Sequence, residues 1–500
     1  MSLMGIDVGT TGCKAAVFST SGGCLAVSYR EYDVQRPLPG HAELDTAHVW
    51  TLIREVIREA AAAVDADPVS ALCVSSLGEA FVPVTRDRRI LGPSLLNFDE
   101  RGAEYLEGLG TARDNEALYA INGNTWGNHY SLPKILWLRD HQPEVYEAAD
   151  QVLLWAGFAS FMLGAEAVTD YTLANRTLLF DVDRVAWSDD LVQAAGIDPA
   201  KLPATVPSGT VIGTVSDAMA DSLGLARGVA IVSGAHDQCA NAVGCGAVVE
   251  GRAMFGMGTY ICIVPVFSER QPASTMIAHG FNTEHHAAPG KYVCFIYNHG
   301  GSLLKWYRDT FAAAERDAAK AAGTGIYPPL IAEMPSGPSR VLVLPHFAPT
   351  GPPEFVSDSS GVMLGLRLET PRGEILKGIL EGAVFYLREC VAPLSETSIR
   401  IDEFRAVGGG SHSDAWLRIS ADILGRPLMR VDAPEAGALG GAILAGTATG
   451  VFGSIDEGVE AMVRAGDTFE PDPGRQAAYD ARFERYRELW PLMGDYLRRV

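Results

Sequence analysis

Asp7, Gly9, Thr10, Thr11 and Lys14 fall within the run Asp7-Val8-Gly9-Thr10-Thr11-Gly12-Cys13-Lys14. Successive backbone N–H groups of a tight glycine turn form a nest for phosphate oxygens. Two threonine hydroxyls add donors there, and a lysine can reach a phosphate. A carboxylate at the strand end suits Mg²⁺, directly or through water. An ordinary β-hairpin with a polar turn has the same sequence. Gly256-Met257-Gly258-Thr259 is a second such turn, and two facing glycine-threonine hairpins can grip a polyphosphate from both sides.

Ser233-Gly234-Ala235-His236-Asp237-Gln238 follows an apolar strand at 229–232, which puts Asp237 at the strand's carboxyl end where a helix opens. Ligands bind at such ends in open α/β sheets, and a carboxylate there can take a proton from a substrate hydroxyl. Capping the helix is the competing use. Val407-Gly408-Gly409-Gly410-Ser411-His412-Ser413-Asp414 links a strand at 404–407 to a helix at 415–423. Its glycines let a purine or its α-phosphate lie against backbone at a helix start, or they serve a turn that needs left-handed glycines. His285 and His286 read as a solvated loop pair rather than a metal site, and His412 as a turn residue. Trp126, Trp137 and Trp155 read as core rather than as sugar platforms.

The elements that must position these residues follow from periodicity. Alternation over 4–8, 13–19 and 24–32, with turns at 9–12 and 22–23, predicts a three-stranded meander. Residues 46–64 have helical spacing, with Trp50, Ile53, Val56 and Ile57 on one face. A strand at 69–75 follows, then a hairpin of 80–85 and 90–96. The β-β-β-α order returns after residue 245, with strands at 253–257, 260–266 and 292–298 and a helix at 302–314. Two similar halves with a cleft between them are expected, the boundary falling at 247–251. Residues 100–205 read as a helical insertion, with helices at 103–109, 133–141 and 153–163. The small residues from Glu435 to Ala442 read as a structural helix start, and 476–499 as one or two surface helices.

Composition bounds the class. With 47% hydrophobic and 20% charged residues the chain is globular. The 40 basic and 61 acidic residues leave a net charge of −21, a field that repels nucleic acid and anionic lipid. Eight cysteines without a CxxC read as reduced, core-packed thiols of a cytoplasmic protein. No signal peptide is expected. The uncharged stretch 253–268 is short of a membrane span, and 436–455 carries six glycines and little bulk.

Together these segments resemble the FGGY family of carbohydrate kinases, of the actin-like ATPase superfamily. The resemblance runs over about 5–450 and is carried in order by 7–14, 234–238, 256–259 and 408–422. Asn97-Phe98-Asp99-Glu100-Arg101 and the stretch 153–181 also match. The resemblance implies an α/β fold of two actin-like, ribonuclease H-like domains, 1–247 and 248–500, with a cleft between them and helical insertions. It implies that Asp7 positions Mg²⁺ and that Thr10, Thr11, Lys14, Gly258 and Thr259 meet the phosphates of ATP. Gly301 and Lys305 occupy the place of nucleotide contacts, and Gly409 and Ser413 that of adenosine contacts. Asp237 would be the catalytic base, with Gly78, Glu79, Asp99, Arg101 and Gln238 facing a sugar or polyol. A xylulose-like ketose is the first expectation, a polyol the second, and a homodimer is favoured. The chain departs from xylulokinases at Ser76-Leu77-Gly78-Glu79, where they carry a Gln-Met-His-Gly-like stretch. It departs from glycerol kinases at Gly78, where they carry arginine. It also has His346-Phe347-Ala348-Pro349-Thr350-Gly351 where the family has a Tyr-Leu-x-Gly-Glu-Arg-like segment. A sugar-binding pseudokinase without turnover is the alternative, opposed by Asp7, Lys14 and Asp237. A filament or chaperone ATPase is opposed by Asp237 with Glu79, Asp99 and Arg101.

Overall fold

A computed structural model describes every residue except Asp65, Glu354 and Val500. β1 (Ser2–Val8), β2 (Gly12–Ser19) and β3 (Cys24–Glu31) form the expected antiparallel meander. β1 is buried on both faces, which explains its nearly unbroken apolar run. α1 (Thr46–Ala62) opens at Asp45, whose side chain accepts from His48 N, and buries Val49, Trp50, Ile53, Val56 and Ile57. β4 (Val69–Ser76) returns parallel to β1. β5 (Val211–Thr214) and β6 (Ala230–His236) complete the sheet in the order β5-β6-β4-β1-β2-β3, with β6 parallel to β4 and β5 antiparallel at the edge.

The second half repeats this plan. β7 (Gly251–Met257) and β8 (Tyr260–Phe267) are an antiparallel pair, and β9 (Ile296–His299) lies antiparallel on the far side of β8. β10 (Ile401–Val407) runs parallel to β7, β11 (Leu428–Val431) parallel to β10, and β12 (Ala465–Phe469) antiparallel at the edge. The order β12-β11-β10-β7-β8-β9 therefore matches the first sheet strand for strand in direction.

Two short helices join the halves. α2 (Asp237–Gly244) leaves β6 directly. α5 (Ala436–Ala448) comes from the second half but lies across β1, β4 and α2 of the first. Its small residues are the reason it fits. A Cβ on Gly5 would overlap the carbonyl of Ala438, one on Gly244 that of Ala436, and one on Gly440 that of Ala240. Between them, α3 (Gly301–Phe311) stands on the turn between β7 and β8, and α4 (Asp414–Leu424) follows β10.

Several local expectations are corrected. The hairpin expected over 80–96 forms only at its turn, where Thr85 N donates to Arg89 O at 3.0 Å and Leu91 N to Pro83 O at 3.1 Å around the antiparallel bridge of Val84 and Ile90. Beyond it the strands part: Phe81–Val84 pairs with Gln151–Leu154, and Ser94–Leu95 with Glu43–Leu44. The helix expected at 153–163 starts at Trp155 because 151–154 is that partner strand. The strand expected at 292–298 is broken into Tyr292–Val293 and Ile296–His299, since Phe295 N turns aside to donate to Asn282 Oδ1 at 2.8 Å. The helix expected at 302–314 breaks at Ala312. His285 and His286 are not a solvated pair: their Nε2 atoms sit 2.9 Å from the carbonyls of Val182 and Ala247, and His286 is buried. Among the described residues no disulfide forms, and Cys24 is exposed rather than core-packed. Among the described residues no helix is long and apolar enough to cross a membrane.

Gly5→Ala forces α5 off the sheet and should cost about 1–3 kcal/mol of stability. Gly441→Ala, whose Cβ would meet neighbours only at 3.4–3.7 Å, should be neutral or stabilise by up to about 1 kcal/mol. Thermal and urea unfolding of the two variants tests the packing; equal effects would contradict it.

Candidate functional site

β1, β4 and β6 are parallel, so their carboxyl ends meet at one edge of the first sheet. That edge gathers Asp7 from β1, Ser75 from β4, the turn Gly78-Glu79 beyond β4, and His236 and Asp237 where β6 passes into α2. The turn is pinned to the sheet by Leu77 N donating to Val8 O at 2.9 Å. Ser75 Oγ donates to Asp7 Oδ1 at 3.0 Å. Burial raises the Asp7 carboxyl above its ordinary range despite that bond. Asp237 is the first residue of α2, whose N-cap is His236. It takes Gln238 Nε2 at 3.1 Å on Oδ1, with His236 Nε2 at 3.3 Å from the same oxygen. Burial, with the charge of Asp7 adding to it, pushes the Asp237 carboxyl up to about 7. Gln238 also reaches the second half, accepting from Cys262 Sγ at 3.3 Å.

The two glycine-threonine turns share one device. In the first, Tyr32 OH ties back the carbonyls of Gly9 and Gly12 at 2.5 and 3.1 Å, and Tyr32 N takes that of Thr11 at 3.1 Å. In the second, the start of α3 does the same work. Gly301 N donates to Gly258 O at 3.0 Å, and Gly300 N and Ser302 N donate to Thr259 O at 3.2 and 3.1 Å. The turn carbonyls are thus occupied from behind. Among the described residues the amides of Thr10, Thr11 and Thr259 donate to no protein group. Amides left in this way make a nest for an anion.

Gly301 meets its partner so closely that a Cβ would overlap Gly258 O, so its amide is spent on supporting the turn. Lys305 is exposed one turn further along α3. Gly408, at φ +90°, lies against Met257 at the end of β7, which brings the glycine turn after β10 beside the Gly258-Thr259 turn. Gly409 is exposed with open space around its Cα, and Ser413 caps α4 by accepting from Trp416 N at 3.3 Å. Lys14 forms an ion pair with Glu435, which precedes α5, and lies over the Tyr29 ring.

Asp99 and Arg101 do not face open space. Asp99 is fully enclosed, accepting from Ala42 N at 2.6 Å and from the Arg101 guanidinium, which also pairs with Glu43 at 2.6 Å. Their charges satisfy each other and fix two loops behind the site.

Arg176 was not singled out by the sequence. It donates to Glu79 and, at 2.6 Å, to Glu284 from the second half, and its guanidinium lies over the Tyr130 ring. Glu284 is held by Asn282 Nδ2 at 2.5 Å, and burial raises its carboxyl despite the pull of Arg176. A lone charge in the otherwise uncharged stretch 172–180 is the one signal that pointed to it.

Comparison with known proteins gives a consistent result. Residues 2–244 match the N-terminal domain of the FGGY family of carbohydrate kinases, and 254–449 its C-terminal domain. The chain is 25% identical over 490 residues to a xylulose kinase of Bacillus subtilis (strain 168), covering 98% of this chain and 96% of the relative. It is 29% identical over 510 residues to a glycerol kinase of Bordetella parapertussis, covering 98% and 96%. The crystal structure of xylulose kinase from Rhodospirillum rubrum superimposes with a TM-score of 0.87 at 27% identity, over 99% of this chain and 100% of that one.

Arg176→Met leaves Glu79 and Glu284 buried without their cation and should cost about 3–5 kcal/mol of stability at pH 7. The loss should shrink as the pH falls, because protonation then neutralises the stranded carboxylates. Urea unfolding at pH 5 and pH 7 checks both statements. A cost that does not change with pH would mean that packing, not charge, is what Arg176 contributes.

Proposed function

We propose, for a chain that belongs to the FGGY family of carbohydrate kinases and has its two-domain actin-like α/β fold, that it transfers the γ-phosphate of ATP to a hydroxyl of a small ketose or polyol. The observation that carries this is Asp237. It is a carboxylate at a strand end, raised to about 7, with no lysine or arginine within ion-pair distance among the described residues, at the same edge as Asp7 and the first glycine-threonine turn.

In this mechanism Asp237 takes the proton of the acceptor hydroxyl as its oxygen attacks the γ-phosphorus and ADP leaves. Charge in the loose transition state gathers on the equatorial phosphoryl oxygens, so positioning and electrostatics do most of the work. The amides and hydroxyls of Thr10, Thr11 and Thr259 hold the phosphates, with Gly258 permitting close approach. Lys14 and Lys305 add positive charge. Gly409 and Ser413 flank the adenosine, and Gly301 supports the turn from behind. Gly78, Glu79 and Gln238 line the acceptor side.

Asp7 fits Mg²⁺: it offers a hard oxygen ligand, burial raises its carboxyl, and its charge in turn adds to the raising of Asp237, a cost that a cation removes. An ion held by one or two carboxylates plus phosphates needs no all-protein cage, and among the described residues no cluster of three His, Cys, Asp or Glu side chains forms one. Asp7 would hold the ion there, and its positive charge would offset that of the phosphates. The halves 1–247 and 248–500 close over the acceptor and exclude water, the rival nucleophile. Likeness to xylulose kinases in both sequence and solved structure supports a xylulose-like ketose, and likeness to a glycerol kinase supports a polyol as the second reading.

ADP release measured against a panel of ketoses, aldoses and polyols tests this. One acceptor should raise the rate far above the rate without acceptor. Asp237→Ala should lower kcat by about 10²–10⁴-fold while the KM for ATP moves by a few fold. Because the base must be ionised, kcat/KM should fall as the pH drops below about 7 and level off above it. A flat panel with normal ATP binding, or an equal loss of ATP binding in Asp237→Ala, would overturn the proposal.

A further inference from the structure

The corner beside Asp237 is filled from the sheet, not from the turn after β4. Gly78 has no side chain, and a Cβ there would lie 3.0 Å from His236 Nε2, 3.2 Å from its Cδ2 and 3.4 Å from Arg176 Nε. The imidazole of His236 takes the space that a residue-78 side chain would need. Its backbone is fixed: His236 N donates to Thr172 Oγ1 at 2.7 Å, and the Thr172 hydroxyl in turn donates to the buried Asp170. The ring meets Phe295 edge-on, with centroids 5.1 Å apart and planes at 77°. Nδ1 is buried without a hydrogen-bond partner among the described residues, so packing, not a bond on that side, sets the ring's orientation.

Burial and the nearby charge of Arg176 keep the imidazole neutral. Its Nε2 lies 3.3 Å from Asp237 Oδ1, in contact but not aligned as a hydrogen bond in this state. Gln238 Nε2 donates to the same oxygen at 3.1 Å. One observed donor and the edge of the imidazole thus meet at Oδ1, which leaves Oδ2 for an incoming hydroxyl. Contacts of this kind are long before substrate binds and shorten in the reactive complex.

We propose that His236 is a positioning residue that holds Asp237 in the rotamer presenting Oδ2 to the acceptor, and that position 78 is glycine because this ring needs its space. The inference rests on the reading of Asp237 as the base, and it makes His236 and Gly78 one coupled unit. A misplacement of about 1 Å at such a site costs about 10²-fold in rate, which sets the scale of the effect.

The test is steady-state kinetics with the best acceptor from the panel. His236→Ala should lower kcat about 10–100-fold with the KM for ATP unchanged. His236→Gln, whose amide nitrogen reaches the Nε2 position, should recover most of that loss. A role in packing alone would not give this rescue. Gly78→Ala should lower kcat about tenfold with His236 present and by less than about threefold in the His236→Ala background, where the methyl has room. Thermal melts confirm that each variant is folded. An unchanged kcat in His236→Ala, a Gln variant no better than Ala, or an equal cost of Gly78→Ala in both backgrounds would each overturn the proposal. Asp237→Ala separates the two readings. Retained turnover there removes the base and this inference with it. Lost turnover there with a silent His236→Ala removes only the inference.

Discussion

Two carboxylates, Asp7 and Asp237, are held at the ends of parallel strands on either side of β4, and burial raises both. Like charges in a desolvated site repel until a proton or a cation arrives. An isolated hairpin would simply turn such groups towards water. Here the sheet register forbids it. β1 pairs with β4 on one side and β2 on the other, and α5 closes the face behind. The small residues of α5 matter for that reason: they let a helix from the far half of the chain press on β1 without a gap. The edge is therefore costly when empty and improves when ligand charge is supplied, the thermodynamic condition for tight binding of a cation with an anionic partner.

The repeated sheet shows what is shared and what is not. Both halves keep the strand, glycine-threonine turn and antiparallel strand, and both tie the turn's carbonyls back to leave amides outward. When the turns are superimposed by their Gly-Thr pairs, Asp7 corresponds to Gly256. A side chain at 256 would run into Cys262 Sγ, 2.6 Å from the Cβ position. One half carries an acid beside its turn and the other carries only donors, a division that in the proposed mechanism would let a single polyphosphate lie between two similar surfaces without charge conflict.

The parts legible in the sequence are those set by local rules. The meander, α1, the β-β-β order of both halves and the glycine turns depend on alternation and turn residues within a few positions, and they stand where expected. The failures are long-range. Phe81–Val84 found its partner about seventy residues away, in Gln151–Leu154, because a short apolar strand carries no mark of which edge it will join. Arg176 meets Glu79 and Glu284 across 97 and 108 residues, so no spacing could reveal the triad. Asp99 and Arg101 were the reverse case. Their charges were legible, but not that residues two apart in sequence pair with each other in the interior. Gly78 was visible only as a departure from relatives, and its physical cause, the ring of His236, needs coordinates.

A net charge of −21 looks hostile to a nucleotide that carries its own negative phosphates, and distance decides the matter. At physiological ionic strength the screening length is about 8 Å, so most surface acids are damped before they reach the cleft. What acts there is local: turn amides with no protein acceptor, the start of α3 behind one turn, and Lys14. That lysine is engaged with Glu435, but both side chains are about a quarter to a fifth exposed, and a pair of that kind contributes only about 0–1 kcal/mol. In the proposed mechanism a phosphate oxygen seated in the nest, with more charge and fixed donors around it, would outcompete Glu435 for the ammonium at little cost. The ion pair would then act as a placeholder that keeps the lysine between the hairpin of one half and the helix start supplied by the other.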